Sequence, residues 1–372
     1  MSTFHTETKT SLKEEDIPLI IQHWARILNI KAGWINDFDK FIIKYVMLFL
    51  KCKPKEFKFR VWDVDNNKQI QSFNGHSNHV YCVKFSPYHY YNHRRNIICS
   101  SSNDNTIRFW DIKDDKQLQI FSQHTGWISS IAFSSFSGGR YLCSGSGDNT
   151  VRLWDVETSK SLHIFNGHEA GVWCVDISPL QSNNNSYNNK SNNIGVIGGN
   201  GHTICSGSID KTIRMWDIET AQQLIVFKGH KYTVISVKYG SNDLGIIGGS
   251  NTILSGSDES IRLWDIRSGQ QIQVFDGHAD NMNAVEYSPF VVDNNEIGGS
   301  SNVICSGSSD NKICFWDIRS NKKELYVING DEEDNGIFCL KFIRLNKKGN
   351  SDRGCGINLC YGTGKGLIYL WG

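Results

Sequence analysis

The 372-residue sequence predicts an all-β protein assembled from repeated units. Trp-Asp pairs recur at Trp62-Asp63, Trp110-Asp111, Trp154-Asp155, Trp216-Asp217, Trp264-Asp265 and Trp316-Asp317, with Trp371-Gly372 as the last two residues. Successive Trp lie 48, 44, 62, 48, 52 and 55 residues apart, close to the roughly 40 to 45 of a unit of four short strands with added loop residues. Aromatics at 12 % and 34 Gly against 5 Pro suit short strands joined by Gly, Asn and Ser turns.

Each unit repeats an internal grammar. It opens on Gly75-His76, Gln123-His124, Gly167-His168, Gly229-His230 or Gly277-His278, and an Asp stands six residues before the Trp: Asp104, Asp148, Asp210, Asp258 and Asp310. Ser-Gly-Ser lies between them at 144–146, 206–208, 255–257 and 306–308. The β-prone runs Val80–Phe85, Val172–Ile177 and Ile337–Phe342 read as innermost strands. Their third residue is small in all six copies (Cys82, Ser130, Cys174, Ser236, Ala284, Cys339), as crowding around a central axis demands.

Over about residues 56 to 372 this grammar resembles that of the WD-repeat, G-protein-β-like family. The resemblance implies a β-propeller, most often of seven blades. It also implies a buried hydrogen-bonded chain in each copy, built from the loop His, the turn Asp, a strand Ser and the Trp indole. Here that chain maps onto His168, Asp210, Ser206 and Trp216. The other copies supply His76, Asp104 and Trp110; His124, Asp148 and Trp154; His230, Asp258 and Trp264; and His278, Asp310 and Trp316. Buried polar groups are tolerated only when all are satisfied, so such a chain fixes one loop geometry per unit. A His/Asp/Ser catalytic triad is the competing reading, and five copies of one triad make no enzymatic sense.

The pattern weakens at both ends. The motif Phe57 to Asp63 has Glu56 where the turn Asp belongs, and the last copy has Gly330-Asp331 in place of Gly-His, Lys365 in place of the Asp, and no outer strand. Propellers cover an open edge with a strand from the other end of the chain, so Gln69 to Phe73 could close a six-bladed ring. Seven blades, favoured by the family resemblance, require two strands from about Asp39 to Lys55. Residues 1–10 read as disordered and residues 11–50 as helical, with Ile17, Ile20, Ile21, Trp24, Ile27 and Leu28 on one side. Trp34 to Leu50 is a second helix or a helix-strand candidate, and the segment is either a cap on the propeller or a small docking module. Gln181 to Asn193, with seven Asn and three Ser, reads as a disordered loop. The Gly-Gly pairs at 198–199, 248–249 and 298–299 read as hairpin tips on one face.

The chemistry expected of this chain is recognition. With 39 Lys+Arg against 38 Asp+Glu, the net charge of +1 gives no field to hold nucleic acid or an acidic membrane. No run of 18 uncharged apolar residues occurs, and Glu14, Glu15 and Asp16 precede the first apolar stretch, so a cytosolic or nuclear location is expected. Cys99, Cys143, Cys205 and Cys305 recur at one strand position in separate units, which points to burial and to neither disulfides nor zinc. Gly362 to Gly366 resembles a phosphate loop but lacks its full spacing and reads as a turn. No cofactor, metal or catalytic group is expected.

Two surfaces stand out. Aligned by their His, the repeats place His79 and Trp127 three residues after it and Tyr81 and Trp173 five after it, with Phe338 matching the fifth position of the last copy. In the family these positions flank the channel mouth. The aromatics therefore form either a plug or a pocket for a peptide anchor such as an Arg side chain. The second surface is Trp264-Asp265-Ile266-Arg267 and Trp316-Asp317-Ile318-Arg319, which resemble the Trp-Asp-x-Arg box of propellers that bind ubiquitin-ligase adaptors. The expected function is a non-catalytic scaffold for protein partners. A cullin-RING substrate receptor using Arg267 and Arg319 is the alternative, with both Arg as ordinary turn residues the plainer reading.

Overall fold

The computed structural model describes residues 45–48, 57–63, 68–178, 202–240, 251–258, 260–288, 303–319, 324–344 and 357–371. Residues 1–44, Gln181 to Asn193 and the three Gly-Gly pairs lie outside them, together with most of the segment expected to be helical.

Among the described residues, seven antiparallel sheets follow one another along the chain. The first holds β1 (Tyr45–Leu48), β2 (Lys58–Asp63) and β3 (Lys68–Asn74). The second holds β4 (Val80–Phe85), β5 (Ile97–Ser102), β6 (Ile107–Asp111) and β7 (Lys116–Phe121). Next come β8 (Ile128–Phe133), β9 (Tyr141–Ser146), β10 (Thr150–Asp155) and β11 (Lys160–Asn166). The fourth sheet is β12 (Val172–Ile177), β13 (Thr203–Ser208), β14 (Ile213–Asp217) and β15 (Gln223–Phe227). The fifth is β16 (Val234–Tyr239), β17 (Thr252–Ser257), β18 (Ser260–Asp265) and β19 (Gln271–Asp276). The sixth is β20 (Met282–Tyr287), β21 (Val303–Ser308), β22 (Lys312–Asp317) and β23 (Tyr326–Asn329). β24 (Ile337–Arg344), β25 (Ile357–Thr363) and β26 (Ile368–Trp371) form the last. Each strand pairs with the next in sequence, the meander of a propeller blade.

Burial explains the strand order. The second strands β5, β13, β17 and β21 are buried at every residue, because a neighbouring sheet covers each face. Such strands read as continuous apolar and small runs rather than as an alternation. At Gly207, next to last in β13, an added Cβ would lie 2.6 Å from Val234 Cγ1 of the next inner strand and 2.7 Å from Cys174 Sγ. Only the missing side chain lets the sheets approach this closely. Outer strands are half exposed, as in β11.

A repeated aromatic contact ties neighbours together. The outer-strand Phe of one sheet meets the Trp of the next: Phe73 with Trp110, Phe121 with Trp154, Phe165 with Trp216, Phe227 with Trp264 and Phe275 with Trp316, with ring centroids 5.0 to 5.9 Å apart. Each Phe stands three residues before a loop His, a periodicity visible in the sequence.

The ring closes through the first sheet. Trp62 packs with Ile343, Cys360 and Ile368 of the last sheet, while Phe59, Val61 and Phe73 pack with Val83, Ile98 and Trp110 of the second. The two closures left open by the sequence separate here. Gln69 to Phe73, the strand of the six-bladed alternative, pairs with β2 and so completes the first sheet, not the last. Tyr45–Leu48, within the helix or helix-strand candidate Trp34 to Leu50 and within the Asp39 to Lys55 stretch that seven blades require, is a strand on β2, because Phe57 to Asp63 otherwise presents an open edge.

One helix was not foreseen. α1 (Pro87–His93) fills the connection from β4 to β5, with Pro at its start and Arg94 in the left-handed region after it. Among the described residues no helix is long and apolar enough to cross a membrane.

Candidate functional site

The polar chain is built by three segments that meet between strands. In the fourth sheet the Trp216 indole N–H donates to Ser206 Oγ at 2.8 Å, Ser206 Oγ lies 2.8 Å from His168 Nε2, and His168 Nδ1 lies 2.7 Å from Asp210 Oδ2. Asp210 Oδ2 also accepts the Glu169 N–H, and its Oδ1 accepts the Thr212 hydroxyl. The same chain runs through Trp110, Ser100, His76 and Asp104, through Trp154, Ser144, His124 and Asp148, and through Trp316, Ser306, His278 and Asp310.

Direction follows from donors and acceptors. The Trp gives its proton to Ser, the Ser hydroxyl gives its own to Nε2, and Nδ1–H donates to the carboxylate. Burial pushes the Asp104, Asp148 and Asp210 carboxyls up, but the His and Thr hydrogen bonds outweigh it and hold all three well below the usual range. Burial also lowers His76, His124 and His168, and the neighbouring carboxylates restore only part of that. Neutral imidazole between fixed partners is a structural arrangement.

The fifth copy departs from expectation. Trp264 donates to Ser255 and Ser255 meets His230 Nε2 at 2.7 Å, yet His230 Nδ1 has no hydrogen-bond partner. Asp258 is therefore not the last link of this chain. The turn is one residue shorter: Ser257 pairs directly with Ser260, whereas Ser208 N–H reaches Thr212 O in the sister turn. Counting six residues back from Trp264 lands on an Asp, but on the wrong place in the hairpin.

At the channel mouth a second device recurs. In all six inner strands β4, β8, β12, β16, β20 and β24, the register shifts after the first residue, leaving Tyr81, Ser129, Trp173, Ile235, Asn283 and Phe338 as bulged residues. A bulge leaves its extra residue outside the ladder and re-aims its side chain. Tyr81 and Trp127 lie 6.3 Å apart, Tyr81 and Trp173 6.4 Å, and Trp127 and Trp173 5.3 Å at 66°. Trp127 is seated over two glycines, since a Cβ on Gly171 would lie 2.8 Å from its Cζ2 and one on Gly147 would meet its Cε2 and Nε1. Phe338, 48 % exposed, packs by Gly336 and Gly364 and makes no ring contact with the other three. His79 is exposed and meets Phe57 edge-on at 5.3 Å.

The family model for the WD domain, G-beta repeat, matches residues 67–111, 115–155, 159–217, 221–265 and 269–317, more than half of the chain. The chain belongs to the WD40 repeat family. Among curated proteins it is similar to the E3 ubiquitin-protein ligase COP1 of Arabidopsis thaliana, 28 % identical over 144 residues, which are 39 % of this chain and 19 % of that protein. The matched stretch thus covers about a fifth of the relative's length. WD40 propellers are typically non-catalytic platforms for other proteins.

In this WD40 propeller Asp111, Asp155, Asp217, Asp265 and Asp317 of the Trp-Asp pairs cap the turns that follow them: Asp217 Oδ1 accepts Glu219 N–H, and Asp317 Oδ1 accepts Arg319 N–H. The two Arg of the candidate box then differ. Arg319 forks its guanidinium onto Asp317 at 3.1 Å through both Nε and Nη2, while the exposed Arg267 uses only its backbone N–H on Asp265. The structure also shows a set of channel charges that the sequence reading missed. Lys84, Asp176, Lys238, Glu286 and Lys341 share one position, two residues after the small one, with Lys238 Nζ 3.8 Å from Glu286 Oε2. Lys84 reaches solvent, yet the protein packed around it and the nearby Lys238 push its ammonium down. Their common offset from the repeated small residue was the available signal. Among the described residues no group of three metal-ligating side chains stands together. The Cys99, Cys143, Cys205 and Cys305 thiols are buried one per sheet, and burial raises their pKa values.

Proposed function

We propose that this protein is a non-catalytic interaction scaffold that docks a peptide or domain at the channel mouth, with Tyr81, Trp127 and Trp173 as the anchor site. The observation that carries this reading is the three-ring cluster. Tyr81 is 36 % exposed and the two Trp are half-buried, so their faces stay open to a partner. Rigid aromatic surface gives contact area at little ordering cost. A cationic side chain stacked between the rings is one fitting anchor. Buried free thiols and the near-neutral charge suit a reducing intracellular compartment.

Trp127→Ala combined with Trp173→Ala is expected to weaken a partner identified by affinity capture by at least about 2 kcal/mol while leaving the melting temperature nearly unchanged. Lost stability with unchanged affinity would mean a plug and end the reading.

The similarity to COP1 supports a second reading, a receptor module of a ubiquitin ligase. The exposed Arg267 and the Asp317-held Arg319 occupy equivalent turns of adjacent sheets. Arg267→Ala with Arg319→Ala is expected to remove a co-purifying cullin adaptor without changing circular dichroism. Equal recovery from both proteins would leave only turn chemistry.

A further inference from the structure

Four sister sheets define a carboxylate position whose His, following backbone N–H and Arg recur in the fifth sheet, where the turn is one residue shorter. In all four sisters, Asp Oδ2 accepts from two directions. His Nδ1 donates at 2.7 to 3.0 Å; the backbone N–H after the His (Ser77, Thr125, Glu169, Ala279) donates at 3.0 to 3.1 Å. In two of them an Arg stands beside it, with Arg108 Nη2 at 3.4 Å from Asp104 and Arg214 Nη2 at 3.8 Å from Asp210. These Asp side chains are 5 to 9 % exposed, so the position lies just beneath the face carrying the His loops.

In the fifth sheet the donors are His230, Lys231 N–H and Arg262. His230 is 7 % exposed and its Nε2 meets Ser255 Oγ, so in the tautomer of the sister sheets, with the Ser hydroxyl given to Nε2, the Nδ1–H has no acceptor. Arg262 Nε is likewise buried without a partner, and its Nη1 donates to Gln271. No carboxylate is among the groups acting on His230; burial and then the Arg262 charge lower its pKa to about 3. Arg152 Nε also lacks a partner although its sheet retains Asp148, so His230 carries the inference and Arg262 accompanies it.

We propose that this position binds a carboxylate supplied from outside the turn, held by His230 Nδ1–H, the Lys231 N–H and Arg262. In that tautomer the two unpartnered buried groups of the fifth sheet, His230 Nδ1–H and Arg262 Nε–H, are both donors, which selects an acceptor and favours an anion beside the Arg262 charge. The sisters' own occupant fixes its class: a planar carboxylate accepting on one oxygen from the imidazole and the backbone. Two sources share that chemistry, a free small carboxylate and the Asp or Glu side chain of a docked protein. The site is independent of the aromatic mouth.

The test uses formate and N-acetyl-aspartate methylamide as probes, with the ring nitrogens of His230 followed by NMR in the full chain at constant pH and ionic strength. Saturable displacement of the His230 Nδ1 signal by formate is expected. Displacement by formate only identifies a free ion as the source, and displacement by both identifies a side chain as able to enter. A glycine inserted between Ser257 and Asp258 recreates the Ser-Gly-Asp order of 146–148 and supplies an internal carboxylate. That variant is expected to be insensitive to formate and to melt at a higher temperature. A His230 signal unmoved by formate, or moved equally by chloride or in the insertion variant, would overturn the proposal.

Discussion

Trp62 of the first sheet shares one buried apolar cluster with Ile368 of the last, joining regions of the chain some 300 residues apart. A propeller cannot be stable at this seam from local contacts alone, because the seam's partners are distant in sequence and the loop they close is entropically costly. Trp62→Ala is expected to destabilise by about 3 to 5 kcal/mol, the usual cost of emptying a buried aromatic site. Urea titration followed by tryptophan fluorescence checks it; a loss below about 1 kcal/mol would show that the seam is held elsewhere.

The polar chains predict an asymmetry between two Asp residues that look equivalent in sequence. Asp210→Ala leaves His168 Nδ1, Glu169 N–H and the Thr212 hydroxyl short of their acceptor, at about 1 to 3 kcal/mol. Asp258→Ala removes no bond to His230 and is expected to cost less. Parallel thermal melts of the two variants decide, and equal losses would contradict the shortened-turn account.

Acid should weaken the fold in a defined order. His76, His124, His168 and His230 have folded pKa values below the free value of 6.5, that of His230 reaching about 3. The unfolded chain therefore binds more protons between those values, and the stabilising contribution, complete above pH 6.5, is lost as pH falls through the window. The slope is about 1.4 kcal/mol per pH unit for a group in mid-window. The depressed Asp carboxyls extend the loss below about pH 4 with the same sign. Denaturation curves at pH 7.5, 6 and 5 are expected to show falling stability; a flat profile would contradict it.

Lys211 occupies a turn position at φ 69°, where the sister turns hold Asn105, Asn149 and Asn311 at φ 62 to 68°. A long side chain tolerates the left-handed region less well than Asn, whose short amide interacts locally. Lys211→Asn is expected to raise stability by about 0.5 to 1 kcal/mol. A melting temperature at or below wild type would show that the turn is not strained.

Much of the fold was legible because it repeats. Asp and Trp recur six residues apart in five copies, each opened by a loop His, and Ser-Gly-Ser recurs in four of them, so the device is visible against a background that varies. The inner strand of each unit could likewise be found from its alternation and its small third residue. The same periodicity led counting astray at Asp258. Position relative to Trp264 was preserved while the hairpin lost a residue, and hydrogen bonding depends on place in the turn, not on distance along the chain.

By itself the sequence determined the repeat unit, the all-β class, the His and Trp of each polar chain with the carboxylate of four of them, and the aromatics near the mouth, since all of these are set within about one unit's length of chain. Tertiary structure decided what depends on neighbours. It placed β1 and Lys68–Asn74 in the first sheet, gathered Tyr81, Trp127 and Trp173 while leaving Phe338 apart, and left His230 Nδ1 without an acceptor. The physical reason is that bulges, close glycine approaches and ring closure are settled by packing between sheets, and no local pattern encodes which sheet comes to lie against which.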